Sequence, residues 1–311
     1  MRIVYFGTPD FAVESLDAIC HSSHEVAAVV TVPDRQAGRG QKVVFSPVKQ
    51  YALDHNIPLL QPEKLRDPLF LEALQAFGAD CFVVVAFRML PEAVWNMPPH
   101  GTFNLHASLL PRYRGAAPIN WAIINGEHET GVTTFLLNHH IDEGAILLQE
   151  RTPIADNETA GSLHDRLAAM GRTLVVRTLD GLADGSLQPK PQLGEPCPAP
   201  KIFKDDCHID FTRTADEVDR QVRGLSPYPA ALMTLVNPDG EEVLFKVYGV
   251  TPQKGGKTTP GTLFCDAKKV LKVATSDGFV QITSLQMSGK KKNSIEDFLR
   301  GNPLTNWKLK I

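Results

Sequence analysis

The stretch Phe103-Asn104-Leu105-His106-Ala107-Ser108-Leu109-Leu110-Pro111 reads as the end of a buried strand followed by a turn. Successive side chains of a strand alternate between its two faces, so Asn104 and His106 share one face and their apolar neighbours share the other. Open α/β sheets bind ligands at the carboxyl ends of their strands. The amide and the imidazole therefore indicate a polar site at a strand end. The alternative is that they satisfy nearby backbone groups.

The chain before this stretch alternates strands with helices. Ile3–Phe6 is a short apolar run that ends at Gly7, and Glu25–Thr31 is a second, Val-rich run. Between them, Phe11–Ile19 has the apolar spacing of a helix. Cys81–Ala86 is apolar throughout, which is typical of a strand covered on both faces. This order predicts an α/β domain with a Rossmann-like, mostly parallel sheet.

Two nucleotide-binding motifs are missing from this half of the chain. The first turn holds a single glycine, Gly7, where a dinucleotide site needs the pattern Gly-x-Gly-x-x-Gly. The sequence also has no glycine-rich loop ending in Gly-Lys-Ser or Gly-Lys-Thr, the loop that cradles phosphates. NAD and ATP are therefore disfavoured as ligands.

A proline-rich stretch, Gln188–Pro200, separates two regions of different pattern. After it, short apolar runs alternate with turn signals such as Asn237-Pro238-Asp239-Gly240, a pattern that favours a small β-barrel. We therefore predict an α/β catalytic domain over residues 1–187, a linker over 188–205 and an OB-like small β-barrel domain over 206–311.

Charge is distributed unevenly between these regions. Residues 251–311 carry ten Lys and one Arg against four acidic residues, a balance of +7 within a chain whose net charge is −3. A basic region behind an acidic body suggests a polyanionic partner. The alternative is a lysine-rich surface that faces water only.

Cysteine usage and the N-terminus bear on location. The five cysteines, at positions 20, 81, 197, 207 and 265, form no Cys-x-x-Cys pair, which argues against a disulfide framework and a zinc site. The first residues read as a strand and not as a signal peptide, and no apolar run reaches the roughly 18 residues that span a bilayer. These observations predict a cytoplasmic protein.

Pro33–Ser46 is a long insertion with the basic residues Arg35, Arg39 and Lys42 around two glycines. Loops of this length are uncommon unless they are functional or disordered. The insertion suits an arm that meets phosphates, and a mobile surface loop is the alternative.

Asn104, His106 and Asp142 each lie at the end of a predicted strand, as catalytic groups in such sheets usually do. No Ser or Cys near them has the spacing of an activated nucleophile, so the trio fits direct acyl transfer. Asn104 and His106 would stabilise an oxyanion, and Asp142 would orient His106 and accept a proton from an attacking amine. His139 and His140 are assigned no role.

The motifs Asn104–Pro111, Arg114–Ile119 and Ile141–Gly144 together resemble the folate-dependent formyltransferases. Phe6–Ala12 and Pro33–Gly40 are similar to the members of that family that act on methionyl-tRNA, and the resemblance runs nearly end to end. It implies 10-formyltetrahydrofolate as the formyl donor, the methionine amine of initiator Met-tRNA as the acceptor, and no metal.

The resemblance also implies roles for further residues. The catalytic positions would be Asn104, His106 and Asp142. Folate would be bound beside Ser108, Leu109, Leu110 and Pro111 and by the loop Arg88, Met89 and Leu90, where Arg88 departs from the Tyr-Gly pattern common in the family. The tRNA would meet Arg35, Arg39 and Lys42, and the β-barrel domain would grip its phosphates through Lys290, Lys291 and Lys292.

The sequence is also compatible with rival functions. The same fold could formylate an amino sugar or a purine precursor, or hydrolyse 10-formyltetrahydrofolate. A second rival is an RNA-binding protein whose transferase domain has lost its activity. The basic insertion and the intact trio favour the tRNA formyltransferase. Nothing in the sequence suggests an obligate subunit interface, so a monomer is predicted.

Overall fold

The computed structural model describes residues 1–37, 42–256 and 258–310. Its contacts divide the chain into two compact units. The first comprises residues 1–118, 129–153 and 164–199. The second comprises residues 119–128 and 154–163 together with the chain from Pro200 onwards. The predicted domain limits at 187 and 205 stay a prediction.

The helices of the described residues are α1 (Asp10–Cys20), α2 (Pro47–Asp54), α3 (Pro68–Ala76), α4 (Glu92–Trp95), α5 (Pro118–Ile124), α6 (Ala160–Ala183), α7 (Ala215–Leu225) and α8 (Ile295–Gly301). The strands are β1 (Arg2–Gly7), β2 (Glu25–Val30), β3 (Arg35–Ala37), β4 (Lys42–Val44), β5 (Leu59–Leu60), β6 (Cys81–Val85), β7 (Thr102–His106), β8 (Arg112–Gly115), β9 (Glu129–Leu136), β10 (Ile146–Pro153), β11 (Cys197–Ala199), β12 (Ala231–Val236), β13 (Glu242–Lys254), β14 (Leu263–Cys265), β15 (Leu271–Ala274), β16 (Gly278–Met287), β17 (Asn293–Ser294) and β18 (Lys308–Leu309). None of the helices in these described ranges has the length and apolarity needed to cross a bilayer.

A seven-stranded sheet of order β10-β9-β7-β6-β1-β2-β5 forms the centre of the first unit. The pairs from β7 to β5 are all parallel, which confirms the predicted mostly parallel sheet. At the other side, β9 pairs with β7 in the antiparallel sense and β10 pairs with β9 in the same way. The sheet therefore changes direction next to β7, the strand that carries Asn104 and His106.

Both faces of this sheet are covered, as the apolar strands predict. On one face, Phe6, Phe82 and Val84 lie in a core cluster with Leu74 of α3 and Val94 of α4. On the opposite face, a Cβ built on Gly171 of α6 would lie 2.5 Å from Leu105. The helix can approach β7 closely because it carries a glycine at that point.

The second unit contains an antiparallel sheet of order β14-β15-β16-β13-β12-β18, with β17 paired to β16. The long strand β13 changes register between Val247 and Val250, and irregularities of this kind bend a strand and increase its twist. The sheet wraps around a core that includes Phe245, Leu285 and Val218 of α7. This nearly closed arrangement confirms the predicted small β-barrel.

Candidate active site

Asn104 and His106 lie on the same face of β7, as strand alternation predicts. In the sheet register Asn104 stands opposite Val84 on one side and Phe135 on the other, and His106 stands opposite Thr133. The buried side chain of Leu105 points to the opposite face, against α6. Two residues of a strand span about 6.6 Å, so the amide and the imidazole face one small region.

The ring of His106 is held by one backbone oxygen. Its side chain is 7% exposed, and Nε2 lies 2.7 Å from the carbonyl oxygen of Tyr113. A carbonyl only accepts hydrogen bonds, so Nε2 carries the proton and donates it to Tyr113. In neutral His106, Nδ1 is therefore free to accept a proton.

Nδ1 of His106 faces the carboxylate of Asp142. The distance from Nδ1 to Oδ2 of Asp142 is 3.8 Å, and the side chain of Asp142 is 15% exposed. The same Oδ2 accepts the backbone N–H of Gly115 at 2.8 Å. Gly115 has φ +121°, and a Cβ there would lie 2.6 Å from the carbonyl oxygen of Ala199. Glycine is therefore required at the position that orients this carboxylate.

Asp142 reaches His106 by a route that differs from the predicted one. The carboxyl end of β9 pairs with Phe103, because β9 runs antiparallel to β7. That end lies about 10 Å along the strand from His106. The chain returns toward His106 through the loop of residues 137–145. Asp142 lies in this loop and has φ +54°. The expectation that strand ends alone bring the trio together is therefore wrong for Asp142: the returning loop does so.

Asn104 is half-buried, and its amide has no hydrogen-bond partner among the described residues. A polar group in such a position can donate to a substrate without breaking an existing bond. The pair of His106 and Asp142 is fixed in place, whereas the amide of Asn104 is available.

The turn Ser108–Pro111 is tied into the sheet. The Ser108 hydroxyl is fully buried and donates to the Arg112 carbonyl at 2.6 Å. The Ser108 carbonyl accepts the Thr133 hydroxyl at 2.6 Å, and Gln149 donates to the Leu110 carbonyl at 2.8 Å. The structure thus uses the side chain of Ser108 internally, and folate contact by this turn, Leu109 and Pro111 included, stays a prediction.

The loop Arg88–Leu90 is anchored at both ends. The Arg88 guanidinium donates to the Glu63 carbonyl at 2.9 Å and also to the Pro62 carbonyl. Leu90 is buried in the core, whereas Met89 is 70% exposed. Arg88 therefore acts as a tether for the neighbouring segment. Contact of these residues with folate stays a prediction; Arg88 and Met89 are both exposed, and of the two the Arg88 side chain is the one bound to neighbouring backbone.

The basic insertion forms a two-stranded hairpin, in which β3 pairs with β4. Arg35 is exposed on β3, while Arg39 and the side chain of Lys42 lie outside the described residues. The base of the hairpin is fixed: Lys49 Nζ donates to Asp34 at 2.6 Å and to Gln61 at 3.0 Å. The hydrogen bond from Lys49, followed by that from Gln61, lowers the pKa of Asp34 from its ordinary value.

Lys290, Lys291 and Lys292 lie on the exposed turn between β16 and β17 of the second unit. Lys292 Nζ is 4.6 Å from the centre of the Tyr248 ring, a distance within the range of a cation–π contact. All three lysines are exposed, as a grip on phosphates requires.

One further residue lies beside the site without a recognisable signal in the sequence. Gln192, in the proline-rich stretch assigned to the linker, donates from Nε2 to the carbonyl oxygens of Asp142 and Gly144 at 2.8 and 2.9 Å. Nothing in its local sequence distinguishes it, because its partners are far away along the chain. Within residues 1–37, 42–256 and 258–310, no three His, Cys, Asp or Glu side chains are placed to hold a metal ion.

The fold and the site together define a class. An amide, an imidazole and an adjacent carboxylate on the open end of an α/β sheet are suited to transferring an acyl group between two bound substrates. The chain belongs to the formyl transferase family: the pattern described as Formyl transferase matches residues 1–179, and the pattern described as Formyl transferase, C-terminal domain matches residues 201–303. The family resemblance is thereby confirmed.

Relatives agree with this assignment. Proteins named methionyl-tRNA formyltransferase are 53% identical in Bacteroides fragilis (98% of this chain, 96% of the relative) and 47% identical in Flavobacterium johnsoniae (97% and 96%). Two solved structures share the fold at lower identity. HypX from Aquifex aeolicus in complex with tetrahydrofolic acid has a TM-score of 0.66 at 20% identity, over 98% of this chain and 48% of that one. An N-formyltransferase from Helicobacter canadensis has 0.61 at 21%, over 94% and 99%.

Proposed function

We propose that this protein transfers the formyl group of 10-formyltetrahydrofolate to the α-amine of methionine on initiator Met-tRNA. The observation that carries the proposal is the pairing of His106 with Asp142 at 3.8 Å beside the unengaged amide of Asn104. The proposed substrates are those implied by relatives named methionyl-tRNA formyltransferase, which match this chain at both ends.

The reaction needs an amine that is neutral and an oxyanion that is stabilised. The amine nitrogen attacks the formyl carbon, and the tetrahedral oxyanion accepts a hydrogen bond from Asn104, a donor worth on the order of 10²–10³-fold in rate. Asp142 accepts the proton that the amine releases. His106, oriented by Asp142, is proposed as the second oxyanion donor through a proton on Nδ1, and the C–N bond to N10 breaks as N10 takes up the proton held by Asp142.

Basic residues would hold the tRNA. Arg35 and Arg39 with Lys42 are proposed to meet the phosphates near the reacting end, and Lys290, Lys291 and Lys292 to grip phosphates elsewhere. Folate is proposed to lie beside Leu109 and Met89. Formylation of an initiator tRNA is a step of translation, so the predicted cytoplasmic location follows from this proposal. We also propose that the enzyme acts as a monomer.

The test is a formylation assay with the full chain, 10-formyltetrahydrofolate and charged tRNA. We expect rapid formation of formyl-methionine on initiator tRNA and much slower formation on elongator Met-tRNA. Consumption of the folate with no formylated tRNA would contradict the proposal and favour a hydrolase. Failure to consume the folate with either tRNA would favour an RNA-binding protein without transferase activity.

A further inference from the structure

The proline-rich segment is attached to the loop that carries Asp142. Lys190 and Ile146 exchange both backbone hydrogen bonds, at 2.8 and 2.7 Å. Further along, β11 pairs with β8, and the Ala199 carbonyl accepts the N–H of Ala117 at 3.2 Å. Gln192 lies between these two anchor points, half-buried, whereas the next residue, Leu193, is 80% exposed. The segment thus turns one polar side chain inward.

Both polar atoms of the Gln192 side-chain amide make their full set of hydrogen bonds. Its Nε2 donates two hydrogen bonds, to the carbonyl oxygens of Asp142 (2.8 Å) and Gly144 (2.9 Å). Its Oε1 accepts two, from Nε (3.1 Å) and Nη2 (2.7 Å) of Arg114. Only one orientation of the amide fits, because carbonyl oxygens cannot donate and a guanidinium cannot accept. The side chain is therefore locked in position.

The partners of Gln192 belong to the two backbone segments that position the carboxylate of Asp142. One segment is the loop of Asp142 itself, held on both sides of Glu143. The other is β8, where Arg114 precedes Gly115, the donor to Oδ2 of Asp142. Arg114 also binds Glu143 through Nη1 at 2.9 Å, which closes the arrangement. One amide thus fixes the carboxylate's backbone and the backbone of its hydrogen-bond donor in a single geometry.

We infer that Gln192 is a positioning residue that holds Asp142 against His106. The inference rests on the proposed formyl transfer. Asp142 adopts a left-handed backbone, which is sparsely populated and persists when the surrounding structure fixes it. Gln192 supplies that constraint. Misplacing a catalytic group by about 1 Å can cost on the order of 10²-fold in rate, so a residue that acts only through the position of Asp142 controls kcat.

The first test is Gln192→Ala, with Gln188→Ala as its control, since Gln188 is an exposed glutamine of the same segment. We expect kcat to fall about 10- to 100-fold in the first variant, with both KM values within about 3-fold of the wild type. The control should keep its kcat. An unchanged kcat in Gln192→Ala, or an equal loss in the control, would overturn the inference.

A double-mutant cycle separates positioning from general damage. In an Asp142→Asn background, the added change Gln192→Ala should reduce the residual kcat by less than about 2-fold, because residues acting through one another are not additive. The same loss in both backgrounds would show that Gln192 acts independently of Asp142, and would sink the inference.

Gln192→Glu tests which contacts matter. It keeps the acceptor for Arg114 but turns an oxygen toward the carbonyls of Asp142 and Gly144. We expect its kcat to fall at least as far as that of Gln192→Ala. A wild-type kcat in Gln192→Glu would assign the effect to Arg114 alone and overturn the loop-holding role.

A readout without activity keeps this inference separate from the proposed function. Amide hydrogen exchange at Gly115 reports the bond to Asp142. We expect faster exchange there in Gln192→Ala and wild-type exchange in Gln188→Ala. If the wild-type protein formylates no tRNA, the proposed function fails while this measurement still tests the contact. Unchanged exchange at Gly115 would overturn the inference even in an active enzyme.

Discussion

His106 and Asp142 keep only 7% and 15% of their side chains exposed, whereas Arg35 and Lys290–Lys292 lie open to solvent. His106 has a fixed backbone partner in Tyr113, and Asp142 has one in Gly115. This pair, proposed to do chemistry, is therefore buried and tied to the backbone, whereas the groups proposed to hold RNA are exposed at the surface.

The difference follows from what each task requires. A reacting group must stand within a fraction of an ångström of its position in the transition state, so its rotamer and backbone are locked. A contact with a phosphate needs charge within reach, and much of its favourable free energy comes from the release of counterions. A rigid site and an adaptable surface can therefore be told apart by how each responds to mutation.

The largest expected effect comes from the rigid site. His106→Ala and Asp142→Asn should each lower kcat about 10³-fold, because proton transfer and oxyanion stabilisation contribute on the order of 10²–10⁴-fold. Initial rates of tRNA formylation give the measurement. His140→Ala, at an exposed histidine of the loop that carries Asp142, is the control and should keep its activity. Near-normal kcat in either catalytic variant would contradict the assignment.

The second effect concerns the backbone beneath the carboxylate. Gly115→Ala should destabilise the fold by about 2–4 kcal/mol, because the new Cβ meets the Ala199 carbonyl and the backbone is strained. Gly185→Ala is a matched control: Gly185 also has positive φ but has open space around it, so about 1 kcal/mol is expected. Urea unfolding of both variants tests this; equal losses would show that the close contact contributes nothing.

A smaller effect is expected on the adaptable surface. Arg35→Ala should raise the KM for Met-tRNA several-fold and leave kcat near the wild-type value. Each lost phosphate contact should also reduce the slope of log affinity against log salt by about 0.9. Binding titrations between low and moderate salt measure the slope. Arg66→Ala, another exposed arginine of the first unit, is the control; a large fall in kcat for Arg35→Ala would place Arg35 in the chemistry instead.

The smallest effect is a pH dependence at the base of the hairpin. Lys49 holds the pKa of Asp34 below its ordinary value, so the stabilisation is present above the unfolded carboxyl pKa of about 3.9 and is lost as pH falls through the folded pKa. At pH 7 the wild type should have a higher urea midpoint of unfolding than Asp34→Asn. The difference between the two midpoints should narrow on acidification below about pH 4. A difference between the midpoints that widens on acidification would contradict a lowered pKa of Asp34 in the folded protein.

Local patterns of the sequence predicted the framework of the site well. Alternation placed Asn104 and His106 on one face, and apolar runs such as Cys81–Ala86 predicted strands covered on both faces. These signals work because each depends on residues that are neighbours along the chain.

Contacts between distant segments were not predictable in this way. An apolar run does not reveal whether β9 lies parallel or antiparallel to β7. The sequence therefore did not predict that residues 137–145 bring the chain back toward His106. Gln192 lies among prolines and was assigned to a linker, although its partners are far away along the chain. Residues 119–128 group with the second unit for the same reason: packing between remote segments decides it.

The backbone of Asp142 has a consequence for which acid can serve there. Its φ of +54° lies in the left-handed region, where Asp and Asn are tolerated several-fold better than most side chains. Glutamate would supply the same charge on a longer arm, but it lacks the short polar side chain that suits this conformation. The shape of the loop therefore selects aspartate over glutamate before any chemistry of the formyl group is considered.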